Sequence, residues 1–333
     1  MLKKLLISLL LLLLLAAGTG YWLWLQWQQE LARTLPISEP EFYQVQRGTA
    51  LGHLLRDFEQ RGWIEHAPLW SRWLQQQQFS GIQAGQYLLQ PEQEVMAVLE
   101  DMRQGKVVMH QVGFPEGWTT AQWLNRLAQR DNIDFDVPTD MQALAEHLSL
   151  PTAHAEGWFF PDTYAYVQGT KASTILLAAH QRMQRELEQA WQGRDPELRL
   201  DSPYELLILA SIVEKETGRD DERGRVASVF ANRLRIGMRL QTDPTVIYGM
   251  GDRFDGRIRS ADLREATPYN TYVIAGLPPT PIASPGLPSL LATANPDSTQ
   301  YLYFVARGDG SSQFSTNLRD HNNAVNRYIR GRR

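Results

Sequence analysis

The sequence predicts an α+β protein: a single N-terminal transmembrane helix, a small α+β subdomain, and a larger α+β domain that carries a reactive carboxyl on a helix. Three observations predict it. An apolar run from Leu5 to Leu25 is broken only by Ser8, Gly18, Thr19 and Gly20. Beyond it, short alternating strands and helices of 3.6-residue period follow one another, separated by turn signals. The densest patterning falls at residues 203–250, where an apolar helix ends in Glu214 and Glu216.

At about 1.5 Å per helical residue, the run over residues 5–25 reaches about 30 Å, one hydrocarbon core. Lys3 and Lys4 hold residues 1–4 on the cytoplasmic side, and Tyr21, Trp22, Trp24 and Trp27 suit the far interface. Ala16-Ala17-Gly18 offers a cleavage point for a secretory signal, the alternative reading. The apolar stretch continues past it, which favours an uncleaved anchor. The remaining chain has no comparable run, so the expectation is a single-pass inner-membrane protein with a periplasmic ectodomain large enough for two cores. No cysteine is present among the 333 residues, which excludes disulfides, thiolate metal sites and cysteine nucleophiles. The net charge is −4, with no basic block, so nucleic acid is not an expected partner.

Residues 26–40 read as a linker, polar at first and ending in Pro36, Ser38 and Pro40. Residues 41–105 read as one subdomain. Phe42 to Gln46 alternate like a strand, and Gly48-Thr49 makes a turn with a helix cap. Leu51, Leu54, Leu55 and Phe58 have helical spacing, a second helix runs near Leu69 to Phe79, Gly85 to Leu89 is a strand, and a last helix runs from Glu92 to Arg103. The order strand, helix, helix, strand over about residues 41–90, with "YQVQRGTALGHLL", resembles a LysM-type module, a fold that holds N-acetylglucosamine-containing glycans; the alternative is a spacer or interdomain support. Residues 106–333 form the larger domain. It opens on a strand at Val107-Val108-Met109, has a helix capped by Thr119 or Thr120, and has a long helix from about Ala172 to Trp191. A Pro/Gly-rich segment follows at 276–288, then a strand from Tyr301 to Ala306 and a final helix headed by His321 and Asn322, with Arg330 to Arg333 frayed.

In "PYELLILASIVEKETG", Leu206, Leu209, Ile212 and Val213 make one helical stripe. Glu216 extends that stripe, whereas Glu214 lies about 160° away. An inward carboxyl at a helix C-terminus is desolvated and faces the negative end of the dipole, so its pKa rises. That yields a protonated acid near neutral pH, suited to cleaving a glycosidic bond. The bland alternative is an ion pair with Arg223 or Arg233. Asp243 before Pro244 has the pattern of an N-cap, while Gln241 and Thr242 are free to face a cleft. The histidines show no metal-ligand spacing, and no phosphate loop or nucleophile elbow is present, so no metal or cofactor is expected.

"LLILASIVEKET", "RVASVFANRLRIGMRLQTDPTVIYGMG", "YNTYVIAGLPPTPIASPG", "YLYFVA" and "FSTNLRDHN" together resemble the YceG-like family of endolytic murein transglycosylases. The resemblance implies a lytic cut in peptidoglycan glycan strands, between N-acetylmuramic acid and N-acetylglucosamine, leaving 1,6-anhydro ends. It implies Glu216 as the catalytic acid, and Glu156, Gln241, Thr242, Asp243, Tyr269 and Asn270 as substrate-binding residues. It also implies a lysozyme-like surround for Glu216, and peptidoglycan synthases are plausible partners. The rivals are a muramidase-type hydrolase, for which Glu156 or Asp243 would supply the second carboxylate, and a membrane-held glycan-binding scaffold without activity.

Overall fold

The computed structural model describes residues 2–332; Met1 and Arg333, the outermost residues of the expected cytoplasmic tail and of the expected frayed end, lie outside the described residues. The chain forms two compact units, Met1–His110 and Gln111–Arg333.

The first unit opens with α1 (Leu2–Leu31), whose segment Lys3–Leu31 is long and apolar enough to cross a membrane. The helix does not stop where the apolar run stops. Trp27 and Leu31 pack against the core of this unit, Leu35 is buried in it, and Thr34 bridges to Glu94. The stretch expected as a linker over 26–40 is therefore helix and core, because its apolar side chains have a surface to cover. β1 (Glu41–Val45) is followed by α2 (Leu51–Gln60), α3 (Ala67–Gln76), β2 (Gly85–Leu89) and α4 (Val95–Gln104). β1 and β2 pair antiparallel, Tyr43 opposite Tyr87, and the period-two alternation turns Tyr43, Val45, Tyr87 and Leu89 inward. Phe58, Trp70, Leu74, Leu99 and Met102 fill the space between sheet and helices. Two helix starts differ from the sequence expectation. Ala50 precedes α2 with no side-chain cap, so Thr49 caps nothing. α4 begins three residues late because Glu92 has a left-handed φ of 59°.

The second unit contains most of β3 (Met109–Gly113), then α5 (Thr120–Ala128), β4 (Ile133–Asp134), α6 (Met141–His147), β5 (Thr163–Val167), β6 (Thr170–Lys171) and α7 (Ala172–Gln192). It continues with α8 (Pro203–Glu216), α9 (Asp220–Arg235), α10 (Asp243–Met250), α11 (Leu287–Ala294), β7 (Tyr303–Ala306), β8 (Ser312–Ser315) and α12 (Leu318–Tyr328). Among the described residues its strands make two-stranded ribbons, β3 with β5, β4 parallel to β6, and β7 antiparallel to β8. Thr119 caps α5 in a reciprocal capping box with Gln122.

α7 divides this unit into two cores. Its N-terminal half, with Ile175, Leu176 and Ala179, packs with Trp123, Phe114 and Phe159. Its C-terminal half, with Met183, Leu187 and Ala190, packs on α8. α8 in turn touches α7, α9, α10 and α11. Every residue from Leu206 to Val213 is buried, so the single apolar stripe expected for this helix is in fact an apolar cylinder. The one polar side chain in that stretch, Ser211, is satisfied: its hydroxyl donates to the Ile208 carbonyl at 2.7 Å and accepts the Ile282 N–H at 3.0 Å. That second bond fastens the proline-rich segment to the helix.

Gly157 shows how closely this segment is packed. Its φ is +80°, and a Cβ built on it would lie 2.4 Å from the Cβ of Pro281. Gly157→Ala combines a disfavoured conformation with overpacking and is expected to cost about 1–3 kcal/mol. Urea denaturation measures this; an unchanged midpoint would show that the loop yields freely.

Candidate active site

Ser202 caps the start of α8, with its hydroxyl accepting the Glu205 N–H, and Pro203 occupies the first turn. Twelve to fourteen residues later the helix leaves the core and delivers Glu214 and Glu216 in different directions, as their spacing requires. Glu214 accepts the N–H of Gly286 at 3.0 Å and so holds the residue that precedes α11. Glu216 faces a cavity of about 420 Å³ that it shares with Arg233, Gln241, Asp243, Tyr272 and His321. Phe230, Leu240, Tyr303, Phe304, Leu318 and Asn322 complete the lining.

The Glu216 carboxyl accepts a short hydrogen bond from the Thr242 hydroxyl. Burial is the main reason that its pKa is pushed up to about 6. The Thr242 bond opposes that rise, the negative charge of Asp243 adds to it, and Arg233 opposes it. No ion pair neutralises Glu216 among the described residues. Arg223 pairs with Asp220, and the buried Arg233 guanidinium donates to the carbonyls of Leu302 and Leu240, both at 2.7 Å. Arg233 thus ties α9 to the residue before β7 and to the chain before α10, and sits in the cavity as a positive charge with no carboxylate in contact among the described residues.

The residues opposite Glu216 are fixed by a left-handed corner. Gln241 has φ +49°, unusual for a residue with a side chain. Its N–H donates to the Thr271 carbonyl, and the next N–H, of Thr242, donates to the Thr271 hydroxyl. Thr242 therefore stands as the residue before α10, and Asp243 is the first helical residue; the N-cap reading of Asp243 is corrected. The Asp243 carboxylate is free to line the cavity, where it accepts the Tyr272 hydroxyl at 2.7 Å.

Three residues expected in the cleft stand elsewhere. Asn270 is buried, its amide donating to the Asp262 and Glu265 carbonyls and accepting the Tyr272 N–H. It braces the loop that presents Tyr272. Tyr269 turns from the cavity to bond Thr280 at 2.9 Å and lies edge-on to Tyr248. Glu156 is only 2% exposed; its carboxyl accepts the Thr120 N–H and hydroxyl, the Gly157 N–H and the Tyr248 hydroxyl. Burial raises its pKa, and those four donors oppose the rise. It is a strut between the start of α5 and α10.

Arg233, Tyr272 and His321 were not expected in the cleft. Tyr272 lies three residues beyond Tyr269 in a segment already marked, so the signal was present and assigned to the wrong aromatic. Arg233 carried a signal only as an ion-pair partner. His321 was expected only to head the final helix; α12 instead starts at Leu318, capped by Asn317, and the His321 ring stacks on Tyr303 at 5.1 Å. Burial lowers its pKa, and the nearby Arg233 charge lowers it further.

The strut reading of Glu156 separates two substitutions. Glu156→Ala leaves buried donors unpaired and is expected to cost on the order of 3 kcal/mol or more. Glu156→Gln keeps one oxygen for Thr120 and Gly157, and is expected to fold and retain most activity. An E156Q variant that folds as wild type and is inactive would place Glu156 in the chemistry.

A model of the YceG-like family matches residues 43–327. An endolytic murein transglycosylase of Bacillus subtilis is 38% identical over 174 residues, 52% of this chain and 48% of that protein. The endolytic murein transglycosylase of Streptococcus pneumoniae strain D39 is 26% identical across 98% of this chain and 65% of its own length. The chain thus spans about half to two thirds of the curated relatives it matches. The 2.6 Å crystal structure of a yceG-like protein from Listeria monocytogenes superposes with a TM-score of 0.55 at 28% identity, over 86% of this chain and 99% of that one. With a family model matching most of its length, the chain belongs to the YceG-like family.

Proposed function

We propose that this protein is a membrane-anchored endolytic lytic transglycosylase that cuts the N-acetylmuramic acid–N-acetylglucosamine bond of peptidoglycan glycan strands. The observation that carries the reading is the carboxyl of Glu216: held at the open end of a buried helix, facing a cavity, with its pKa raised to about 6 by burial. The names of the relatives supply the substrate class.

Glu216 donates its proton to the glycosidic oxygen, the C1–O bond of the muramic acid breaks, and the N-acetylglucosamine side leaves with a free hydroxyl. The muramic acid C6 hydroxyl then bonds to C1 and returns its proton to the Glu216 carboxylate. A 1,6-anhydro ring forms, no water is consumed, and the acid is regenerated. One carboxyl serves both steps because the nucleophile is already tethered. Asp243, kept in place by Tyr272, supplies the negative field that a positive C1 requires. Gln241 and Tyr272 offer an amide and a ring to the sugars. In this reading α1 crosses the inner membrane with Lys3 and Lys4 in the cytoplasm, the LysM-like unit and the catalytic unit lie in the periplasm, and nascent strands from peptidoglycan synthases are the substrate.

The presence of Asp243 in the same cavity favours one rival, hydrolysis with a second carboxylate. Mass spectrometry of digested sacculi separates the two. The lytic reading expects muramic acid ends one water lighter than reducing ends; recovery of reducing ends alone would overturn it. Glu216→Gln is expected to lower kcat by about 10²–10⁴-fold, and wild-type rates in that variant would remove Glu216 from the role of acid.

The raised pKa has two further consequences. The acid must be protonated, so kcat/KM is expected to fall as pH rises through about 6. Folding must also carry the cost of ionising a desolvated carboxyl. The protonated group is accommodated below the unfolded value, and stability is lost as pH rises through the folded one. Glu216→Gln is therefore expected to be more stable than wild type at about pH 8, by on the order of 2 kcal/mol, with the difference vanishing below about pH 4. Thermal melts of both proteins across that range check the sign; a wild type more stable than E216Q at the higher pH would contradict it.

A further inference from the structure

We propose that the groove between α1 and α3 is a phospholipid site, which seats α3 in the headgroup layer of the membrane that α1 crosses. The proposal rests on the reading of α1 as a membrane helix. It starts from the observation that α1 and α3 are joined rigidly. The Trp27 ring lies edge-on to both Trp70 and Trp73, with centroids 5.7 and 6.3 Å away. The Glu30 carboxylate accepts the Trp70 indole N–H at 3.1 Å and the Glu65 N–H, and Arg33 bonds both Glu30 and Glu65 at 3.0 Å.

Depth then follows from length. At about 1.5 Å per residue, a hydrocarbon core entered near Leu5 is crossed by about Leu25. Trp22 to Glu30 fall at the outer interface, and α3, fixed to Trp27 and Glu30, shares that depth. Between the two helices lies a cavity of about 580 Å³, walled by Trp22, Leu23 and Trp27 on one side and Leu69, Arg72 and Trp73 on the other. Trp22 is 58% exposed, Leu23 59% and Leu69 48%. Large apolar side chains left this open, on a wall continuous with a membrane helix, fit an acyl chain. The rim carries the exposed Arg72 and the exposed Glu65, one of whose carboxylate oxygens bonds Arg33; Glu30 lines the same cavity. Arg72 matches the phosphate of a zwitterionic headgroup, and the acidic side chains match its ammonium. Tryptophan and arginine on the outward face of a short helix are what an interfacial helix presents to lipid.

The chain has no cysteine, so Leu12→Cys and Leu69→Cys each create one labelling site, both at exposed positions. Each full-length variant, labelled with a nitroxide in phosphatidylcholine vesicles, is compared with a free water-soluble nitroxide for collision with oxygen and with a water-soluble nickel chelate. The label at 12 is expected in the hydrocarbon core. The label at 69 is expected at headgroup depth, with nickel collisions several-fold below the free nitroxide. A label at 12 in the core with a label at 69 as accessible as the free nitroxide overturns the lipid site alone. Dipolar broadening between labels at 69 on two molecules overturns it too, since a second copy then fills the groove. A label at 12 that meets nickel freely overturns both the anchor and the site.

Discussion

A single carboxyl must be kept out of water at the mouth of a cavity, and the second unit is organised around that constraint. α8 satisfies it by being buried on all sides from Leu206 to Val213, with α7, α9, α10 and α11 packed around it. The packing around that last turn keeps the Glu216 carboxyl away from water, and burial is what raises its pKa. The enclosing helices explain why the residue that would do the chemistry is also one the fold would be more stable without above pH 6.

The remaining cavity residues come from segments with little regular structure, and hydrogen bonds to backbone do what packing cannot. The left-handed corner at Gln241 is locked to Thr271, and Asn270 ties the same loop to the carbonyls of Asp262 and Glu265. Arg233 joins α9 to the chain at Leu240 and Leu302. Glu156 and Tyr248 connect the far end of α10 to the start of α5. The two glutamates of the "EKE" triplet divide the labour: Glu214 fixes the backbone at Gly286, and Glu216 is left for the cavity.

Legibility in the sequence followed the range of the interaction involved. Helix period and composition were enough for α7, α8 and the apolar α1, because each is specified by its own side chains. The direction of Glu216 and the sense of its pKa shift also followed from local spacing alone. Positions that depend on a partner far along the chain were misplaced. The supposed linker at 26–40 turned out to be core because Leu35 meets a surface built from α4 and its neighbours. Asp243 had the local pattern of a cap, but the corner at Gln241, made by pairing with Thr271, moved the helix start back by one residue. Glu156 and Asn270 are polar and sit in striking motifs, which is equally true of a cleft residue and of a buried brace; only their bonding partners tell the two apart. His321 lies more than a hundred residues from Glu216 and was legible locally only as the head of the final helix.

The proposed chemistry depends on the ionisation of Glu216 in the folded protein. Carbon-13 NMR of glutamate-labelled protein, with the Glu216 resonance identified by its loss in E216Q, follows that one carboxyl through a pH titration. A midpoint near 6 is the predicted result. A midpoint at or below the ordinary 4.5 would mean that the carboxyl is hydrated and charged at neutral pH, and that it is not the acid that the fold encloses.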